Sequence, residues 1–329
     1  GKPMLDWRRF FKHKQNWLAL FLLGIFFFVA LAAPYLAPPD DPANPPPFKT
    51  TVRTLDRLPQ APSAANPLGT VGQLASLARF GFIPGQDRFQ QWDVLYTLVW
   101  GTRSAIKFGL TVTLVSAAFG LLVGIVSGYA GGAINQILML FTDAFLTFPV
   151  IAAVWLFQRM LFTRIFNPFT LPEEFVWWEN MLITLDLDPI MLALIIFSWM
   201  PYARLVNGMV IQQKHADYVT AARAMGAGNG RIIWRHLLPN VIAPSVVLVA
   251  RDIGGSVILA SAFIFIGFGG SVTWGVMLVA ARDYIIGIGG NPFAYWWTFL
   301  PISLALIFFG IGWNLLGDGL NDLLNPRRR

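Results

Sequence analysis

Between Lys107 and Asp143 the chain carries no charged residue. A helix needs about 20 apolar residues to cross the hydrocarbon core of a bilayer. The run is too long for one span and fits parts of two, with Gly128-Tyr129-Ala130-Gly131-Gly132 as the turn signal between them. The spans are therefore placed near 104–129 and 134–160. Further apolar stretches place others at 17–36, 188–210 (charge-free over 189–203), 241–266 and 294–316, the last opening after Asn291-Pro292 and closing at Gly317-Asp318-Gly319. Only 12% of residues are charged, against roughly 25% in soluble proteins. The expected fold class is an all-α polytopic membrane protein with six transmembrane helices.

The span at 17–36 contains Ala30-Leu31-Ala32, which resembles a signal-peptide cleavage site. It is long for such a segment and reads as an uncleaved anchor. Six spans put both termini on one side, and the charges test this independently. Residues 1–16 carry Lys2, Arg8, Arg9, Lys12 and Lys14 against one acid, and 327–329 are all Arg. The 204–240 loop carries Arg204, Lys214, Arg223, Arg231 and Arg235 against Asp217 alone. The 161–188 loop is acidic, and the 38–100 loop has five charges of each sign. By the positive-inside rule both termini and the 204–240 loop are cytoplasmic. Flanking charge of this kind does not form a nucleic-acid stripe.

The 38–62 stretch holds eight prolines, which exclude helix and central strand. It reads as an extended external linker. The organisation expected is 1–37 as N-terminal segment and first span, 38–100 as a Pro-rich external loop, and 101–329 as a five-helix core. There is no cysteine, so disulfides, thiol nucleophiles and thiolate metal sites are excluded. No Gly-x-x-x-x-Gly-Lys-Ser/Thr occurs, so the chain has no phosphate-cradling loop of its own.

The polar segment 218–240 stands out among apolar neighbours. Ala221, Ala222 and Ala224 favour helix. Gly226 and Gly228-Asn229-Gly230 stop it, because Gly and Asn tolerate left-handed backbone angles. A second helical stretch at 231–238 leads to Pro239. The expectation is a short helix with a small-residue face, a sharp turn and a re-entry helix. By itself this also fits a solvated loop between spans.

Ala221-Ala222, then Gly226, then Leu238-Pro239 hold the spacing of the cytoplasmic "EAA" loop of bacterial ABC-importer permeases, which the segment resembles. Other stretches resemble the dipeptide/oligopeptide branch and its C-type subunit. They are Asn66-Pro67-Leu68-Gly69-Thr70, Trp92-Asp93-Val94-Leu95, Gly101-Thr102-Arg103-Ser104, Asp143 with Phe148-Pro149, residues 263–269, and Asn314-Leu315-Leu316-Gly317-Asp318-Gly319-Leu320 with Asp322 and Pro326. Asn66 stands where the family has His, and Thr220 where it has Glu. Residues 73–90 resemble an insertion, and 159–186 is long for its loop.

The resemblance implies a type I importer permease in a bacterial or archaeal cytoplasmic membrane. It would bind no cofactor and catalyse no reaction itself. Its partners would be a second homologous permease, two ATP-binding subunits that use ATP and Mg, and an external solute-binding protein delivering peptides or related solutes. The residues implied to couple it to the ATPase are Asp217, Tyr218, Thr220, Ala221, Ala222, Arg223, Gly226, His236, Leu238 and Pro239, on a helix near 216–226 that moves as a rigid body.

Charges inside spans are costly and often functional. Asp143, Arg251 and Asp252 are thus candidates for the translocation path or its gating. Arg251 and Asp252 point about 100° apart on a helix and need not pair. His215 and His236 lack further ligands nearby, so no metal site is expected. Asp40-Asp41 and Glu173-Glu174 read as solvated, and the Trp177-Trp178 and Trp296-Trp297 pairs as interfacial belts. One rival is an ion-gradient-driven transporter, which would show inverted repeats and broken helices. Another is an intramembrane enzyme, for which the polar set is too sparse.

Overall fold

A computed structural model describes residues 7–43, 45–53, 58–72, 90–165, 172–286, 291 and 293–324. Most of the 73–90 insertion, Lys2, Pro292, Pro326 and Arg327, Arg328 and Arg329 lie outside the described residues. A short helix α1 (Trp7–Lys12) precedes α2 (Lys14–Leu36). Strands β1 (Thr50–Arg53), β2 (Thr70–Gly72) and β3 (Gln90–Asp93) follow. The remaining helices are α3 (Val94–Ala130), α4 (Gly132–Thr147), α5 (Val150–Met160), α6 (Trp177–Thr184), α7 (Pro189–Phe197) and α8 (Met200–Gln213). They continue with α9 (Asp217–Ala224), α10 (Asn229–Ile232), α11 (Leu238–Ile266), α12 (Thr273–Ile286) and α13 (Leu300–Leu324).

Five helical segments are long and apolar enough to span a membrane, and α4 with α5 makes a sixth if the bent pair is counted as one. The class is helical, with one correction: β1, β3 and β2 form a small antiparallel sheet with β3 in the centre. The Pro-rich stretch supplies its edge strand, so it is more than a linker. At Gly69, φ is +72°, and an added Cβ would fall within 3 Å of Trp297 Cδ1. The Asn66-to-Thr70 turn therefore needs glycine there. It also buries Trp297, which is not a belt residue.

β3 runs straight into α3, whose first turn is capped by the Asp93 carboxylate accepting from Tyr96 N–H. The span expected near 104 thus begins at Val94, and the expected boundary at 100/101 falls inside this helix. At 37 residues and 1.5 Å per residue, α3 is about 55 Å long, well beyond the roughly 30 Å hydrocarbon core. Gly131 and Gly132 both have positive φ and reverse the chain into α4. The span expected at 134–160 is broken: α4 and α5 meet at 82°. Proline disfavours helix in the residue before it, and Phe148 before Pro149 is extended.

The last span starts at Leu300 and runs through Gly317-Asp318-Gly319 to Leu324. These glycines do not end the helix. A Cβ at Gly319 would overlap Asn16, and one at Gly317 would overlap Arg251. They are close-approach positions, and they bring the α1/α2 junction against the end of α13. Sequence periodicity gave no sign of α12. It packs between α3, α11 and α13 through Trp274, whose indole N–H donates to Leu98 O at 3.1 Å.

Candidate functional site

Three glycines at intervals of four, Gly120, Gly124 and Gly128, line the side of α3 that meets α8. A Cβ at these positions would lie 2.4 Å from Trp199 O, 2.7 Å from Ala203 O and 2.8 Å from Val210 Cβ. Small residues at this spacing let two membrane helices approach closely. The contact is locked by Asn207 of α8, whose amide donates to Ser127 Oγ at 2.7 Å and Asn135 Oδ1 at 2.6 Å. Lys214 then donates to Gly128 O at 2.9 Å. The sequence-based expectations did not include this seam, for which the four-residue glycine spacing is the available signal.

The 216–226 segment hangs from the end of this seam. Helix α9 is short, with Asp217 in its first turn and Arg223 in its last, both favourable to the helix dipole. It ends in a Schellman arrangement: Ala227 N–H bonds Ala222 O, and Gly226 N–H bonds Arg223 O. Gly226 takes φ +81°, with nothing within 4 Å of an added Cβ. The glycine is needed for backbone conformation, not space.

Val219 and Ala222 of α9 are buried, in register with each other one turn apart. Val219 joins Ile125 of α3, Val206 and Val210 of α8, Ile232 of α10, and Leu237 and Val241 in one apolar cluster. Ala222 therefore faces inward, and of the Ala221-Ala222 pair only Ala221 is exposed. Tyr129 of α3 hydrogen-bonds Asn229 Oδ1 at 2.7 Å and lies under the Arg223 guanidinium.

The re-entry segment expected at 231–238 is real but not uniformly α-helical. Residues Ile233–Leu237 form a π turn. Pro239 lacks an N–H and would press on the carbonyl four residues back. The wider turn relieves this, and Leu238 N–H bonds Ile233 O, five residues back. His236 is half-buried, with its ring 6.2 Å from Tyr218, and its carbonyl accepts from the Asn240 amide at 2.7 Å. Burial raises the Tyr218 phenol pKa, against a smaller lowering by the Asn240 amide. Leu238 is half-buried, and Pro239 and Thr220 are exposed. Among the described residues no three His, Asp or Glu side chains converge to hold a metal.

The three charged candidates within the spans each find a partner on another helix. Asp143 of α4 pairs with Arg204 of α8 at 2.9 Å, the side chains about half exposed. Asp252 of α11 accepts from the Tyr202 hydroxyl of α8 at 2.7 Å. Arg251 pairs with Asp318 of α13. Arg251 and Asp252 do not pair with each other. Beside these pairs the chain presents small or polar positions to the outside, including Gly208 on α8 and Gly255 on α11, both with open space at Cβ.

Residues 120–329 match the family described as binding-protein-dependent transport system inner membrane component. Residues 6–54 match the N-terminal TM domain of oligopeptide transport permease C. The glutathione transport system permease protein GsiD of Pectobacterium atrosepticum is 30% identical, over 98% of this chain and 90% of that protein. The dipeptide transport system permease protein DppC of Alkalihalophilus pseudofirmus is 28% identical over the same shares. The probable D,D-dipeptide transport system permease protein DdpC of Escherichia coli is 29% identical over 71% of this chain and 70% of its own length. In such systems ATP hydrolysis belongs to separate subunits. The chain belongs to the binding-protein-dependent transport system inner membrane component family, as a C-type permease subunit of an ATP-driven importer.

Proposed function

We propose that this chain forms half of a translocation path with a second, homologous permease, and that two ATP-binding subunits drive it through the 216–226 segment. The observation that carries this reading is the clamping of α9 onto a core shared with α3, α8, α10 and α11. A push on α9 then displaces the long helices as one body, since packed interfaces are bistable rather than continuously deformable. Asp217, Tyr218, Thr220, Ala221, Arg223 and Gly226 form the outward part of the contact. Ala222 is an anchor beneath it. His236, Leu238 and Pro239 carry the motion into α11.

The end of the bundle bearing α9, α1 and the end of α13 is the cytoplasmic side of a bacterial membrane in this reading, as the Lys and Arg excess supports. The sheet end receives an external solute-binding protein. ATP and Mg are bound by the partner subunits. Asp143, Arg251 and Asp252 belong to the path or its gating. A charge facing lipid at midplane costs about 3 kcal/mol, so the half-exposed Asp143–Arg204 pair calls for water or protein beside it. The relatives are named for dipeptides, D,D-dipeptides and glutathione, and short peptides are the cargo class we assign. The break at Phe148-Pro149 is one sign once reserved for ion-driven carriers, but the family match gives that rival no support.

Two measurements test this reading. Purification of the tagged chain from its native membrane is expected to bring down a second permease and a pair of ATP-binding subunits. Gly226→Val forces a β-branched residue into left-handed backbone, at about 1–2 kcal/mol. It is expected to leave the membrane subunits assembled while separating ATP hydrolysis from uptake. Normal coupling in that variant would remove α9 from the mechanism.

A further inference from the structure

We infer that this chain engages its ATP-binding partner through two exposed apolar side chains, Met225 and Trp234, set beside arginines, in an apolar groove rimmed by carboxylates. The inference rests on the coupling role assigned above and supplies its contact chemistry. Thr220 occupies the position of the family's usual Glu, and its hydroxyl is turned back to Ala216 O at 3.4 Å, within its own helix. Asp217 is the one acid in the 204–240 segment. A carboxylate-led contact therefore has little to build on.

What the segment offers instead is apolar and cationic. Met225 is 82% exposed and Trp234 is 71% exposed. Met225 closes α9 just before the left-handed turn at Gly226, which leaves it at the corner of the segment. Trp234 sits on the π turn, on the outer side of a stretch whose Ile232 and Leu237 are buried in the core that also anchors Val219. Both knobs thus stand on elements clamped to one rigid core. Tryptophan is enriched among residues that dominate binding energy, and methionine adapts to irregular apolar pockets. Arg231 and Arg235 are exposed and form no ion pair among the described residues. A groove that takes the two knobs would meet these cations at its edge. Acidic residues there complement them and steer docking.

The test uses the complete importer, purified and reconstituted with its binding protein. Met225→Glu and Trp234→Glu are each expected to lower retention of the ATP-binding pair at least tenfold and to abolish solute-stimulated ATP hydrolysis, with pairing to the second permease intact. Thr220→Glu, which installs the family's usual carboxylate, is expected to weaken retention at low salt, and less so at high salt, through repulsion from the acidic rim. Retention unchanged in both knob variants overturns the inference. So does tighter coupling in Thr220→Glu, or loss of membrane insertion in Trp234→Glu with retention normal, which would make Trp234 a lipid anchor. Gly226→Val separates the two levels. If it uncouples while the knob variants are silent, the coupling role stands and the contact chemistry falls. If it is silent too, both fall.

Discussion

Two exposed surfaces of this chain differ in kind. Helix α2 shows Phe21, Phe28, Leu31 and Tyr35 outward and buries Ala19, Ala30 and Ala33. Helices α4, α8 and α11 show Asp143, Arg204, Gly208 and Gly255 outward, with Asp252 half-buried. Helix α2, the α7–α8 segment and the segment ending in α11 are of spanning length, and α4 reaches it only with α5. Large apolar side chains gain from lipid, whereas charged ones lose about 3 kcal/mol at its centre. Exposure in a single membrane chain thus has two meanings, lipid or assembly, and residue chemistry separates them.

The strongest way to break this contrast is to place one charge on each surface. Phe28→Arg puts a guanidinium where lipid is expected, at a cost of about 3 kcal/mol, or roughly a hundredfold in an insertion equilibrium. Its membrane-inserted level should fall steeply. Gly255→Arg has open space and is expected to insert normally but to lose solute uptake. Equal insertion defects in the two would erase the distinction.

A second substitution sharpens what holds the polar face in place. Gly124→Leu drives a side chain into Ala203 and Val206. Overpacking of this kind costs about 1–3 kcal/mol. It should lower the detergent melting temperature and, under the proposed coupling role, separate uptake from ATP hydrolysis, since the seam ends at the core that anchors α9. A smaller effect is expected from Tyr202→Phe, which removes the hydroxyl bonded to Asp252. Interhelical hydrogen bonds in membranes average about 0.6 kcal/mol. Stability should change little, and any change in uptake assigns the pair to gating rather than to scaffold.

Much of the fold was legible in the chain. Long apolar runs can satisfy their backbone in lipid only as helices, so the spans at Lys14–Leu36, Pro189–Gln213 and Asn229–Ile266 were all anticipated in outline. A short helix around Ala221, Ala222 and Ala224 and its turn at Gly226 followed from alanine propensity and glycine freedom, both local effects. The helix ends were less legible. Gly317 and Gly319 read as breakers but serve as contact points, because a glycine's role depends on what lies across from it. The inward face of Ala222 was hidden for the same reason: one alanine looks like its neighbour until the core beneath it is known.

The sequence by itself determined that this chain lives in a membrane and, in outline, where most of its spans run. Those conclusions rest on hydropathy and local propensity, both properties of contiguous residues. Only the tertiary structure decided that Asp143 answers Arg204, that Asp252 answers Tyr202 rather than Arg251, and that α9 shares one core with α3, α8, α10 and α11. These are contacts between residues far apart in the chain, set by which helix faces meet, and no periodicity along the sequence encodes them.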